Sequence, residues 1–84
     1  MSAVKESIDI CGVLVQAQKN KEQVVKASLS TIDGVDVHHV TENSRLIVTI
    51  ELEGRRQIMD TMNSFNDLPH VLSTVLTYQH SEEV

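Results

Sequence analysis

Ile32-Asp33-Gly34-Val35-Asp36-Val37 and its later echo, Leu68-Pro69-His70-Val71-Leu72-Ser73, decide how this sequence is read. Each segment follows a stretch with helical spacing, closes it with an apolar residue and a turn, and opens a new strand. With a strand ahead of each helix, the chain reads as two βαβ-like halves.

Upstream of the first segment, Ile8–Ala17 contains the β-branched run Ile10-Cys11-Gly12-Val13-Leu14-Val15 and reads as a strand. Asn20, with Gln23 three residues on, suggests a capping box opening a helix that runs to about Thr31. Val25, Leu29 and Ile32 form its core-facing stripe, and Gly34 permits the turn that ends it. Val35–Val40 is the second strand and 41–44 a polar hairpin loop. In Arg45–Leu52 alternation is clearest: Leu46, Val48, Ile50 and Leu52 on one face, Ile47, Thr49 and Glu51 on the other. A second helix is expected from Gly54 to Asn66, with Ile58, Met62 and Phe65 inward. Pro69 blocks its continuation, and Val71–Tyr78 makes the last strand. The acidic end, 81–84, is expected to fray.

The order β-α-β-β-α-β is that of a ferredoxin-like split βαβ, an α+β fold with a four-stranded antiparallel sheet and two helices on one face. Right-handed crossovers give the strand order 4-1-3-2. Residues 1–84 are expected to form a single domain with an ordered core at about 8–80. The sheet's other face has no element to cover it. Leu14 and Ile47 should point there from the two central strands, with Gly12, Gln16, Thr49 and Glu51. Strands two and four are edges open to further pairing.

Composition narrows the function. The chain of 84 residues has no Trp, one Tyr and one Phe, so its core is aliphatic. A formal net charge of -5 argues against nucleic acid, which needs clustered cations, and suits a basic partner. The lone Cys11 allows no internal disulfide and reads as a small buried hydrophobe. No apolar run approaches the length of a membrane span, and the first residues lack the pattern of a signal peptide. A cytoplasmic location without membrane insertion is the expectation.

Chemistry-bearing constellations are lacking. His38 and His39 are neighbours on a strand, so their rings should point to opposite faces, one exposed and one half-buried. The carboxylates form no close dyad, no glycine-rich phosphate loop exists, and Ser28, Ser30 and Thr31 lack a nucleophile's setting. The expectation is no catalytic residue, no metal site and no cofactor. Within this fold class, a metallochaperone would need paired cysteines and an acylphosphatase an arginine after strand one. That loop reads Gln16-Ala17-Gln18-Lys19. An RNA-binding domain would need aromatics on strands one and three, and neither has them. A small-ligand regulatory domain acting as a dimer remains the alternative.

Five segments carry a resemblance: Ile10–Ala17, Gly34–His38, Arg45–Val48, Leu68–Ser73 and Leu76–His80. Together, in this order and over nearly the whole chain, they resemble the NapD family. Two positions depart from it: His70 stands where the family usually has glycine, and Gln79-His80 where a His-Gln order is common. The resemblance implies a cytoplasmic chaperone, not an enzyme, that binds the twin-arginine signal peptide of the catalytic subunit of periplasmic nitrate reductase. It delays export until the client's cofactors are installed. A monomer is expected.

Such a peptide is basic at its start and apolar after it. The open face offers Leu14, Ile47 and Val75 to the apolar part, and Asp36 and Glu51 to the arginines, with Gln16, Thr49, Thr77 and Tyr78 beside them. Strand four has two parities. The set Leu72, Thr74, Leu76 and Tyr78 is expected to face the helices, with Tyr78 still able to reach a peptide near the edge.

Overall fold

The computed structural model describes residues 7–83, and side chains from 8 to 80. The elements follow in the order β1 (Ser7–Ala17), α1 (Glu22–Ser30), β2 (Val35–Val40), β3 (Arg45–Leu52), α2 (Arg55–Ser64), a 3-10 turn (Phe65–Asp67) and β4 (Val71–Glu83). The strands form one antiparallel sheet in the order β2-β3-β1-β4. This is the ferredoxin-like α+β arrangement, with β1 and β3 central and β2 and β4 at the edges.

The core lies between the sheet and the helices. Cys11, Val13, Val15 and Ala17 on β1 and Leu46, Val48 and Ile50 on β3 are buried, along with Val25 and Leu29 of α1, Ile58 of α2 and Phe65. Ile32 and Met62 pack partly buried against them. The alternation of the strands and the i, i+4, i+7 stripes of the helices thus meet in one aliphatic layer.

Three local expectations are corrected. Asn20 does not cap α1: it sits in the left-handed region at φ 70°, and Lys21 is the N-cap residue, with no side-chain capping bond. Asparagine tolerates that conformation, so its value here is to the turn and not to the helix end. The second helix ends at Ser64 and tightens into the 3-10 turn Phe65–Asp67, which still delivers Phe65 to the core. The acidic end is a strand through Glu83, because Ser7, Ile8 and Asp9 of β1 supply partners for Glu83, Glu82 and Ser81. Val84 lies outside the described residues.

Three turns set the strand ends. Gly34, at φ 79°, packs so closely that a Cβ there would collide with Leu52 and the Glu51 carbonyl, and its own carbonyl accepts the Glu51 N–H at 2.8 Å. The 41–44 hairpin closes on Ser44 at φ 62°, a type of loop in which the last residue is left-handed. The buried Ser44 hydroxyl donates to Glu22 Oε2 at 2.6 Å, fastening the hairpin to the first turn of α1. His70, at φ 69°, occupies a conformation that favours glycine. Its carbonyl accepts the Gln18 N–H at 2.8 Å, and its Nδ1 lies 2.9 Å from Gln18 Oε1.

Candidate functional site

Directly opposed residues of neighbouring strands share a face, so the register fixes the open face row by row. Leu14 stands between Ile47 of β3 and Val75 of β4, and His39 carries this row onto β2. One step along, Gly12 stands between Thr49 and Tyr78, with Asp36 opposite Thr49. Beyond that, Ile10 stands between Glu51 and His80. In the other direction Gln16 stands between Arg45 and Ser73. Successive rows are about 7 Å apart, two residues of strand rise.

The central row is apolar and wet. Ile47 is 41% exposed and Val75 54%, with Leu14 half-buried between them. A depression of about 280 Å³ is lined by Leu14, Gln16, Arg45, Ser73 and Val75. Gln16 is shared with a neighbouring depression beside Lys19, Glu42 and Leu72 at the strand ends. The charges are unevenly distributed. Asp36 and Glu51 stand on one side of the apolar row and Arg45 on the other. Lys19 and Glu42, of opposite charge, both line the neighbouring depression.

Three register shifts decide which edge residues reach this face. The one between Gln16 and Ala17 puts Val71 opposite Ala17 and against the core and leaves Leu72 64% exposed, contrary to the expectation that Leu72 faces the helices. In β4 the register shifts between Gly12 and Val13, so Thr77 and Tyr78 both fall opposite Gly12 while Leu76 stays opposite Val13. The β4 expectation is therefore half corrected. Thr74 and Leu76 keep the helix-side parity. Tyr78 joins Ser73 and Val75 on the open face because the extra residue reverses the alternation. A Cβ on Gly12 would collide with Tyr78 Cε1 and Cδ1 and with Thr77 Oγ1, so the Tyr78 ring lies over β1 at the one position without a side chain. In β2 the register shifts between Val37 and His39. His39 then pairs with Ile47, and His38 Nε2 lies 2.6 Å from Thr49 Oγ1. Both histidines are exposed and both serve the open face, contrary to the expectation of opposite faces.

All nine residues singled out from the sequence, Leu14, Gln16, Asp36, Ile47, Thr49, Glu51, Val75, Thr77 and Tyr78, come together on this face. Two of them are engaged internally. Gln16 Nε2 donates to the Asn43 carbonyl at 3.0 Å and the Ser44 carbonyl at 3.2 Å, while Gln16 Oε1 accepts from Arg45 Nε at 3.0 Å. Gln16 thus ties the hairpin to the sheet and holds Arg45 in place. Thr49 Oγ1 is taken up with His38.

The sequence reading left out Ile10, His39, Arg45 and Ser73. Alternation from Leu14 and Ile47 contains the signal for Ile10 and Arg45. Ser73 follows by alternation from Val75, and only His39 depends on a bulge, which alternation does not report. Elsewhere, Cys11 is buried on the core side and burial pushes its thiol pKa up, away from reactivity. Among the described residues no cluster of three or more His, Cys, Asp or Glu side chains is placed to hold a metal ion. Nor is any helix long and apolar enough to cross a membrane.

Among curated proteins, no sequence matches this chain. Among solved structures, it is similar to the solution structure of the E. coli Tat proofreading chaperone protein NapD. The match has a TM-score of 0.80 and 25% identity, covering 84% of this chain and 76% of that one. The family model described as NapD protein matches residues 8–83. That span runs from the first described side chain of β1 to the last residue of β4, so the chain belongs to the NapD family, a family of chaperones and not of enzymes.

Proposed function

We propose that this protein is a cytoplasmic proofreading chaperone for the twin-arginine signal peptide of the periplasmic nitrate reductase catalytic subunit. Acting as a monomer, it holds the precursor back until the client's cofactors are in place, and the uncovered sheet face receives the peptide. The observation that carries this reading is the row Ile47–Leu14–Val75, apolar and solvent-facing across three strands, with Asp36 and Glu51 at one side.

A twin-arginine signal peptide has the complementary pattern. Its basic start meets the two carboxylates and its apolar segment covers the central row. Burial of aliphatic surface supplies most of the affinity. An exposed Arg–carboxylate pair contributes about 0–1 kcal/mol and mainly fixes register. The net charge of -5 assists encounter with a basic segment.

Calorimetric titration with the nitrate reductase signal peptide tests this, beside a peptide with both arginines changed to glutamine. The expected result is micromolar or tighter binding of the native peptide, weakened for the variant. Failure of the native peptide to bind would refute the proposal.

A further inference from the structure

We propose that the Tyr78 ring, seated over Gly12, and the Glu51 carboxylate together form a subsite selective for arginine over lysine. This rests on the signal-peptide reading and specifies how one arginine is recognised. The register makes Gly12 the direct partner of Thr49 and therefore the diagonal neighbour of Glu51. Diagonal neighbours on an antiparallel sheet lie about 7–8 Å apart, within reach of an aromatic ring and a long side chain.

Position 12 has no side chain of its own, and the ring of Tyr78 occupies the space that one would fill. Tyr78 is nevertheless 51% exposed, so a surface of the ring remains open to a ligand. The open face around it therefore presents an aromatic surface over Gly12 with the carboxylate of Glu51 at the diagonal position. A guanidinium can stack on the ring while its N–H groups donate to Glu51. An ammonium is more strongly hydrated and has no planar face, so it satisfies one partner at a time. From this subsite the peptide's apolar part runs across Leu14, Ile47 and Val75 toward Arg45.

The test is a set of calorimetric titrations with the twin-arginine peptide and its twin-lysine counterpart. The parent should prefer arginine by at least about threefold. Tyr78→Leu, which keeps an apolar side chain at an exposed position, should bring that ratio close to one. Tyr78→Phe should preserve it, because the ring and not the hydroxyl makes the contact. The subsite is overturned by any of three results: no preference in the parent, an unchanged ratio in Tyr78→Leu, or loss of the ratio in Tyr78→Phe as well. A parent that binds neither peptide would instead remove the signal-peptide reading and this subsite with it.

Discussion

His70 shows how one residue can record a conformational cost. It holds φ at 69°, a region where a side chain costs about 1–2 kcal/mol relative to the right-handed alternative. A glycine would hold this conformation without that cost, and the side-chain contact of His70 with Gln18 offsets part of it here. His70→Gly is expected to be at least as stable as the parent to within about 0.5 kcal/mol. His70→Val, β-branched in the same conformation, should lose more than about 1 kcal/mol. Urea unfolding of the three proteins checks the order. Ser44 poses a different test. Its hydroxyl is the main cause that lowers the Glu22 pKa below its ordinary 4.5, with the Glu22 and Asn20 backbone N–H groups adding to it. A carboxylate whose folded pKa is depressed contributes stability above its unfolded pKa, and that contribution is lost as pH falls through the folded value. Ser44→Ala should therefore be less stable than the parent at pH 7, with the two stabilities converging as pH falls from the ordinary 4.5 through the lower folded value. Parallel curves across the acid range would contradict this.

At the scale of elements, packing decides. Ile58 is fully buried and is the one such residue α2 sends into the core. Replacing it by alanine should cost about 2–5 kcal/mol, a large share of the roughly 4–12 kcal/mol available to a domain of this length. Thermal unfolding would show it, and a loss under about 1 kcal/mol would mean that α2 does not anchor the sheet as described. Elements were legible wherever periodicity was unbroken. Strands β2 and β3 begin and end where alternation and the Gly34 and 41–44 turns indicate, and the Val25/Leu29 and Ile58/Phe65 stripes are the buried ones. The bulges were not legible. An extra residue at Thr77 or His38 leaves no mark in composition, because it is accommodated by partners distant in sequence: Gly12 against Tyr78, Thr49 against His38. Likewise the pairing of 81–83 depends on the far end of β1, which no local pattern of acidic residues reveals.

The whole molecule separates stability from recognition by face. The helix-side face holds the fold together, while the open face carries an apolar row that none of the described elements covers. Substitutions on the two faces should therefore differ in kind. Leu14→Asp and Ile47→Asp place a charge where solvent reaches, and each should leave the protein folded while weakening peptide binding at least about tenfold, equivalent to 1.4 kcal/mol. Circular dichroism and calorimetry report the two effects separately. The candidate face was legible in outline, since β-α-β-β-α-β leaves one sheet side without a helix and alternation puts Leu14 and Ile47 there. Its width was not, because Tyr78 and His39 reach it through bulges.

The most direct measurement is an NMR titration of the labelled protein with the twin-arginine signal peptide, followed through backbone amides and side-chain methyls. The account predicts that the largest changes fall on the methyls of Leu14, Ile47 and Val75 and along the adjoining strands, with those of Val25, Leu29 and Ile58 little affected. Changes concentrated on α1 and α2, with the open-face methyls unmoved, would contradict it.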